Sequence, residues 1–367
     1  MNGGKPPKPT SIRHLGERLR KAETPSAADL AGLSDFRARH LPVLLSTFPA
    51  LFESLRDVPH ATSGRLKNTA TIIEKMRRDG TRLPTMQDIA GLRIVLDESA
   101  GRAMQDRVVQ GILGKRVLVD VSCDDRRAKP STGYRAVHLV GKRDGLCVEI
   151  QVRTYIQHLW AQVNERLCDC WGRGVKYGEA PIIEMQKTAA GEISSKEVQS
   201  YMMEVSEAIA EAEQIDFEQE LAGRCRTSGD QMCYVMDALE DLRDVLQRAP
   251  YDAAAAEKAR AQMQPSSDGP ALSLFIYDRE QARVLGTHAG SNAELLSMWR
   301  DLDIQYRSQR NIEVVLLAAT SGDTLVQTHA RYVAGAPDLV GLRRRRKRRR
   351  ARFAAWIRAA IHRLVRW

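Results

Sequence analysis

Between residues 60 and 170, short apolar runs alternate with stretches of helical spacing, and this alternation limits the fold more than any other feature of the chain. Leu92-Arg93-Ile94-Val95-Leu96, Val117–Val121, Tyr134–Val140 and Cys147–Val152 are strand-length segments rich in aliphatic and β-branched residues. Ser63–Arg78, Ala103–Leu113 and Tyr155–Cys170 carry helical periodicity. Helices that alternate with strands must cover a sheet, so the expected class is α/β or α+β: a mixed β-sheet flanked by helices.

The flanking residues divide the chain further. Residues 1–59 form an N-terminal helical segment in which Leu15, Leu19, Leu41, Leu44, Leu45, Phe48 and Leu51 recur near helical spacing. The mixed domain takes 60–185, and a second helical segment takes 186–250. Turn chemistry in Gln264-Pro265-Ser266-Ser267-Asp268-Gly269-Pro270 opens a small α/β appendage over 265–336, read as strand Ala271–Tyr277, helix Asn292–Tyr306 and strand Ile312–Ala318. Within it Thr328-His329-Ala330-Arg331-Tyr332 is expected to be structural.

The formal charge of +10 is concentrated at the end of the chain. Residues 342–367 hold 12 of the 56 Lys and Arg and no Asp or Glu, and without them the charge falls from +10 to −2. After eight consecutive basic residues, Arg343–Arg350, a helix at 100° per residue gathers Phe353, Trp356, Ile357, Ala360, Ile361, Leu364 and Trp367 on one arc. Arg352, Arg358, Arg363 and Arg366 take the other. Such a basic amphipathic helix suits an anionic membrane surface or RNA, with the membrane favoured by its segregated Trp and aliphatic residues. The six cysteines show no zinc spacing and no run nears 18 apolar residues. A cytoplasmic address is expected, with the tail as a peripheral contact at the inner membrane surface.

Four blocks carry polar residues that a plain core would not require. In Arg65-x-Lys67-x3-Thr71-x3-Lys75-x2-Arg78, helical spacing puts Lys67, Thr71, Lys75 and Arg78 on one face, a row of cations suited to phosphate oxygens. In Asp88-Ile-Ala-Gly-Leu-Arg93, an acid at a strand mouth suits Mg²⁺, which takes few carboxylates besides phosphate oxygens. Lys129-Pro-Ser-Thr-Gly133-Tyr134-Arg135-x2-His138 sets an aromatic ring, able to stack on a base, after a tight backbone path. In Val148–Thr154, alternation puts Glu149, Gln151 and Arg153 on one strand face, and Trp160-Ala161 follows.

In this order the blocks resemble the synthetase domain of the RelA/SpoT family, over about residues 55–180. The resemblance implies a nucleotidyltransferase-like domain that transfers pyrophosphate from ATP to the 3′-hydroxyl of GDP or GTP, making the alarmones (p)ppGpp. It implies ATP binding by Arg65, Lys67, Thr71, Lys75, Arg78 and Arg93, and Mg²⁺ held by the catalytic carboxylates Asp88 and Glu149. It further implies an acceptor side made of Lys129, Tyr134, His138, Gln151 and Arg153, and assembly as a homo-oligomer. Two departures stand out: Thr71 replaces a usual Ser, and Asn164-Glu165 stands where the family commonly has Glu-His. The segment before residue 60 is short for the family's hydrolase domain, so synthesis without hydrolysis is expected. Two alternatives stay open: a toxic relative that pyrophosphorylates tRNA 3′ ends or adenosine nucleotides, and an inactive nucleotide-binding protein tethered by its tail.

Overall fold

A computed structural model describes residues 9–97, 100–130, 132–172, 174–175, 185–188, 191–221, 269–281 and 283–333, with residues 257 and 261 singly. The basic tail, the linker up to residue 268 and the helical segment beyond residue 221 lie outside the described residues, apart from those two.

Three helices open the described chain: α1 (Pro9–Lys21), α2 (Ala27–Ala38) and α3 (His40–Ser54). Ser26 caps α2 by accepting from Asp29 N. The apolar face of α3, Leu41, Leu44, Phe48 and Leu51, is buried against the sheet, as its spacing predicts.

The strand that α3 covers overturns one expectation. His60–Leu66 is a strand, β1, whereas the sequence suggests a helix from Ser63. Its residues His-Ala-Thr-Ser-Gly-Arg-Leu show no apolar alternation, because backbone pairing on both edges fixes it. Gly64 lets the strand approach α3: a Cβ there would lie 3.1 Å from Leu44 Cδ1 and Phe48 Cε2. The helix α4 begins only at Thr69 and runs to Asp79, capped by Asn68, whose side chain accepts from Thr71 N, and closed by Gly80 at φ 65°. Arg65 therefore projects from a strand and Lys67 from the junction, while Lys75 and Arg78 come from α4.

The next strand is β2 (Ala90–Leu96), followed by α5 (Arg102–Gly114) and then β3 (Val119–Asp125), β4 (Val137–Arg143) and β5 (Leu146–Arg153). The helix α6 (Tyr155–Trp171) starts at a capping box between Thr154 and Gln157. A hairpin, β6 (Met185–Thr188) and β7 (Gly191–Ser194), leads into α7 (Ser195–Leu221), whose Met202, Val205 and Ile209 pack with Trp160 and Trp171 of α6.

The C-terminal residues supply β8 (Ala271–Asp278), β9 (Arg283–His288), α8 (Asn292–Gln305), β10 (Ile312–Ala319) and α9 (Gly322–Val333). They do not form a separate layer. Strand β10 pairs antiparallel with β1, so one eight-stranded sheet runs β3-β4-β5-β2-β1-β10-β8-β9. Only β2 and β5 are parallel, which makes the sheet mixed, as the sequence predicts. Strand β9 is invisible in the sequence pattern; it is a partly exposed edge.

The two faces of this sheet differ. On one, Leu66, Leu92, Ile94, Leu139, Ile150, Leu274 and Leu316 join α3, α5 and Trp299 of α8 in a continuous apolar core. On the other, Phe275, Tyr277, Val315 and Leu317 are covered by Leu325 and Tyr332 of α9. Over β1, β2, β4 and β5 that second face is polar instead. Among the described residues no helix is long and apolar enough to cross a membrane.

Candidate functional site

Strand register brings the polar residues of the second face together. Arg65 lies opposite Gly91, and Gly91 beside Glu149. Arg93 lies beside Gln151, and Gln151 opposite His138. Residues directly paired across strands share a face, so one floor presents Arg65, Arg93, Glu149, Gln151 and His138. Gly91 keeps this floor open: a Cβ there would sit 4.0 Å from Glu149 Oε2. The floor belongs to a cavity of about 340 Å³ that is also lined by Lys67, Lys75, Arg78, Asp88, Tyr134, Arg153, Ala161, Asn164, Glu165 and His329.

Asp88 is the centre of the cationic part. Its Oδ2 accepts from Lys67 Nζ at 2.7 Å and from Lys75 Nζ at 3.0 Å. Burial pushes its pKa up, but the two ammonium groups outweigh this and hold the carboxyl below its usual range. Burial likewise lowers Lys67, partly offset by Asp88. Oδ1 of Asp88 is buried without a hydrogen-bond partner among the described residues. A buried carboxylate oxygen lacking a donor is costly, and a divalent cation or ligand donor would satisfy it.

Glu149 is held differently. Oε1 accepts from His138 Nδ1 at 2.9 Å and Oε2 from Gln151 Nε2 at 2.8 Å. Burial would raise its pKa, yet the bond and charge of His138, the Gln151 amide and Lys67 hold it far below the carboxylate range. With Nδ1–H given to Glu149, His138 Nε2 lies 2.8 Å from Tyr134 Oη, within hydrogen-bond distance. Arg153 Nη2 donates to both Tyr134 Oη and Gln151 Oε1, each at 2.7 Å. The Tyr134 hydroxyl is thus tied down, while its half-buried ring lines the cavity.

Arg93 is buried, with Nη1 donating to Thr328 O at 2.6 Å and Nη2 3.6 Å from Glu165 Oε1. Burial, with Arg153 and Arg65 nearby, lowers its pKa to about 10, so it remains a cation at neutral pH. Glu165, one of the two residues that depart from the family pattern, therefore serves as the acid facing Arg93.

Two expected ligands fall elsewhere. Thr71 does not line the cavity: its hydroxyl bonds Asn68 Oδ1 at 2.6 Å, inside the cap of α4. A helix that begins at Thr69 rather than Ser63 turns that residue toward its own N-terminus. Lys129 is exposed and outside the lining, and Arg126 lines the cavity in its place. Arg126 carried no signal of its own, standing in a charged run at the end of β3. His329 was also missed, since its role depends on β10 joining β1, a pairing that no local pattern announces.

A mixed sheet with helices on both faces and a polar cavity of paired carboxylates and cations defines the class to which the chain's relatives can be compared. Residues 64–167 match the family model described as the region found in RelA / SpoT proteins. It is 38% identical over 135 residues to an uncharacterized protein of Mycobacterium tuberculosis, covering 36% of this chain and 47% of that one. It is 36% identical over 122 residues to GTP pyrophosphokinase YjbM of Bacillus subtilis, covering 29% of this chain and 54% of that one. The chain thus spans about half the length of the curated relatives it matches. Among solved structures, small alarmone synthetase 1 of Bacillus subtilis bound to AMPCPP aligns with 27% identity and a TM-score of 0.27, covering 44% of this chain and 76% of that one.

Proposed function

We propose that this chain transfers the pyrophosphoryl group of ATP to the 3′-hydroxyl of GDP or GTP. The observation that carries the reading is the meeting in one cavity of Asp88, with its unpartnered Oδ1, Glu149, and the cations Lys67, Lys75 and Arg78. Transfer of a phosphoryl-type group asks a protein mainly for positioning and charge neutralisation, and these are the groups that supply both.

In this reading Lys67, Lys75 and Arg78 receive the triphosphate, and Arg65 and Arg93 face the remainder of the ATP molecule. The 3′-oxygen of the acceptor attacks the β-phosphorus of ATP, the bond from that phosphorus to the α–β bridging oxygen breaks, and AMP leaves. Asp88 and Glu149 would hold Mg²⁺, which when bound neutralises phosphate charge. A pair of carboxylates suits Mg²⁺, an ion that commonly takes its other ligands from phosphate oxygens and water. Glu149, held so far below its usual pKa, is a weak base. Its main tasks would be to hold the metal and orient the hydroxyl, whose proton passes to solvent water late in a loose transition state. Tyr134, its hydroxyl anchored by Arg153 and His138, offers its ring to the acceptor base, a contact worth about 1–3 kcal/mol.

The test is incubation of the purified chain and Mg²⁺ with ATP labelled in the terminal phosphates, together with GDP, GTP, ADP or bulk tRNA in separate reactions. Label should appear in a 3′-pyrophosphorylated guanosine nucleotide, and Asp88→Ala and Glu149→Ala should each lower that product at least about a hundredfold. Label in tRNA or an adenosine nucleotide would reassign the acceptor. Turnover retained in both variants would remove the carboxylates from the site.

A further inference from the structure

Helix α9 departs from helical geometry at His329, where φ is −137° and ψ is 43°. Side chains of the RelA/SpoT region hold the break. Arg93 donates to Thr328 O at 2.6 Å, His158 Nε2 to Gln327 O at 2.8 Å, and Gln162 Nε2 to the same carbonyl at 3.2 Å. Carbonyls at a break in a helix need outside donors, and these three supply them. The result is that His329, from a part of the chain outside residues 64–167, enters the cavity wall, 5% exposed and stacked on Tyr332.

The protons on this ring can be assigned. Thr328 has one hydroxyl hydrogen, which it donates to Thr324 O at 2.7 Å. The 3.1 Å contact between Thr328 Oγ1 and His329 Nδ1 therefore requires Nδ1–H as donor. That leaves Nε2 of this cavity-lining ring as a lone-pair acceptor. Burial, and then the charges of Arg93 and Arg65, keep the ring from protonating. Lys67 and Lys75 gather at Asp88 for phosphate, whereas His329 gathers with Arg93, Arg65 and Asn164. The lone pair of an acceptor-only nitrogen repels a carbonyl oxygen and favours an amino group placed against it.

We propose that His329 is a specificity-determining residue of the nucleotide cavity, whose Nε2 accepts a hydrogen bond from the exocyclic amino group of the donor's adenine. This rests on the reading of the cavity as an ATP site. It makes the C-terminal strands and α9 part of the substrate site.

Calorimetric titration of the full chain with Mg²⁺ and ATP, purine riboside triphosphate, which lacks the amino group, or inosine triphosphate, which carries an oxo group there, tests the assignment. The unmodified chain should bind ATP about tenfold more tightly than either analogue. His329→Phe, which keeps a ring against Tyr332 but offers no acceptor, should bring ATP down to the level of the analogues. His329→Gln, with an amide oxygen, should restore part of the preference. Equal binding of ATP and the analogues by the unmodified chain, a comparison that needs no variant, overturns the proposal, as does an unchanged preference in His329→Phe. Amino-dependent ATP binding without transfer to any acceptor would fail the pyrophosphokinase reading alone. Transfer without amino dependence would fail the His329 assignment alone.

Discussion

His138 bridges Glu149 and Tyr134, and so couples the carboxylate to the aromatic ring that lines the cavity. Its ring contacts both neighbours at once, at 2.9 Å from Glu149 and 2.8 Å from Tyr134. Removing a group that orients a ligand residue typically costs about 10–100-fold in activity or metal affinity. We therefore expect His138→Ala to lower turnover by about that factor, and to raise the Mg²⁺ concentration needed for half-maximal activity. A loss of turnover with unchanged Mg²⁺ dependence would show that His138 does not act through Glu149. At this scale the sequence was informative wherever a residue sits in a strand of known face: Glu149, Gln151 and Arg153 alternate as expected and all line the cavity. It misled where a side chain serves its own backbone, as Thr71 does in capping α4, because spacing alone does not reveal where a helix begins.

Among the elements, α7 docks on the start of α6 through a buried acid. Glu213 accepts from Thr154 Oγ1 at 2.6 Å and from Gln157 Nε2 at 2.8 Å, the two residues that form the α6 capping box. Burial raises its pKa, against the opposing hydrogen bonds. A carboxyl whose folded pKa is raised favours folding while protonated in the folded state. Its contribution is fully present below the unfolded value of about 4.3 and is lost as pH rises through the folded value. Glu213→Gln carries no titratable group there, so the fall in denaturant midpoint expected of the unmodified chain over that window should flatten in the variant. An identical pH slope in both proteins would mean that Glu213 ionises in the folded state as it does in the unfolded one. The contact of Glu213 with this cap was not legible in the sequence, since a Glu 59 residues from Thr154 carries no local signature.

For the molecule as a whole, the seam between β1 and β10 decides whether the C-terminal residues are an addition or a component. Ser63, Gly64 and Arg65 pair with Ala319, Ala318 and Leu317, and the apolar core runs beneath the seam from Leu92 to Leu274 without interruption. The sequence suggested an appendage because about a hundred residues separate the end of α6 from β8, and long-range pairing leaves no trace in composition. A shared core and ladder should make the two halves open together. Hydrogen exchange followed by mass spectrometry should give peptides of β2 and β5 the same opening free energy as peptides of β8 and β10. Leu316, 1% exposed and central to β10, provides the perturbation: Leu316→Asp buries an unpaired charge and should cost about 3–5 kcal/mol. Loss of protection in β1, β2 and β5 as well as in β8 and β10 would follow from one cooperative sheet. Loss confined to β8–β10, with β1 and β2 still protected, would restore the appendage and detach His329 from the stability of the site it lines.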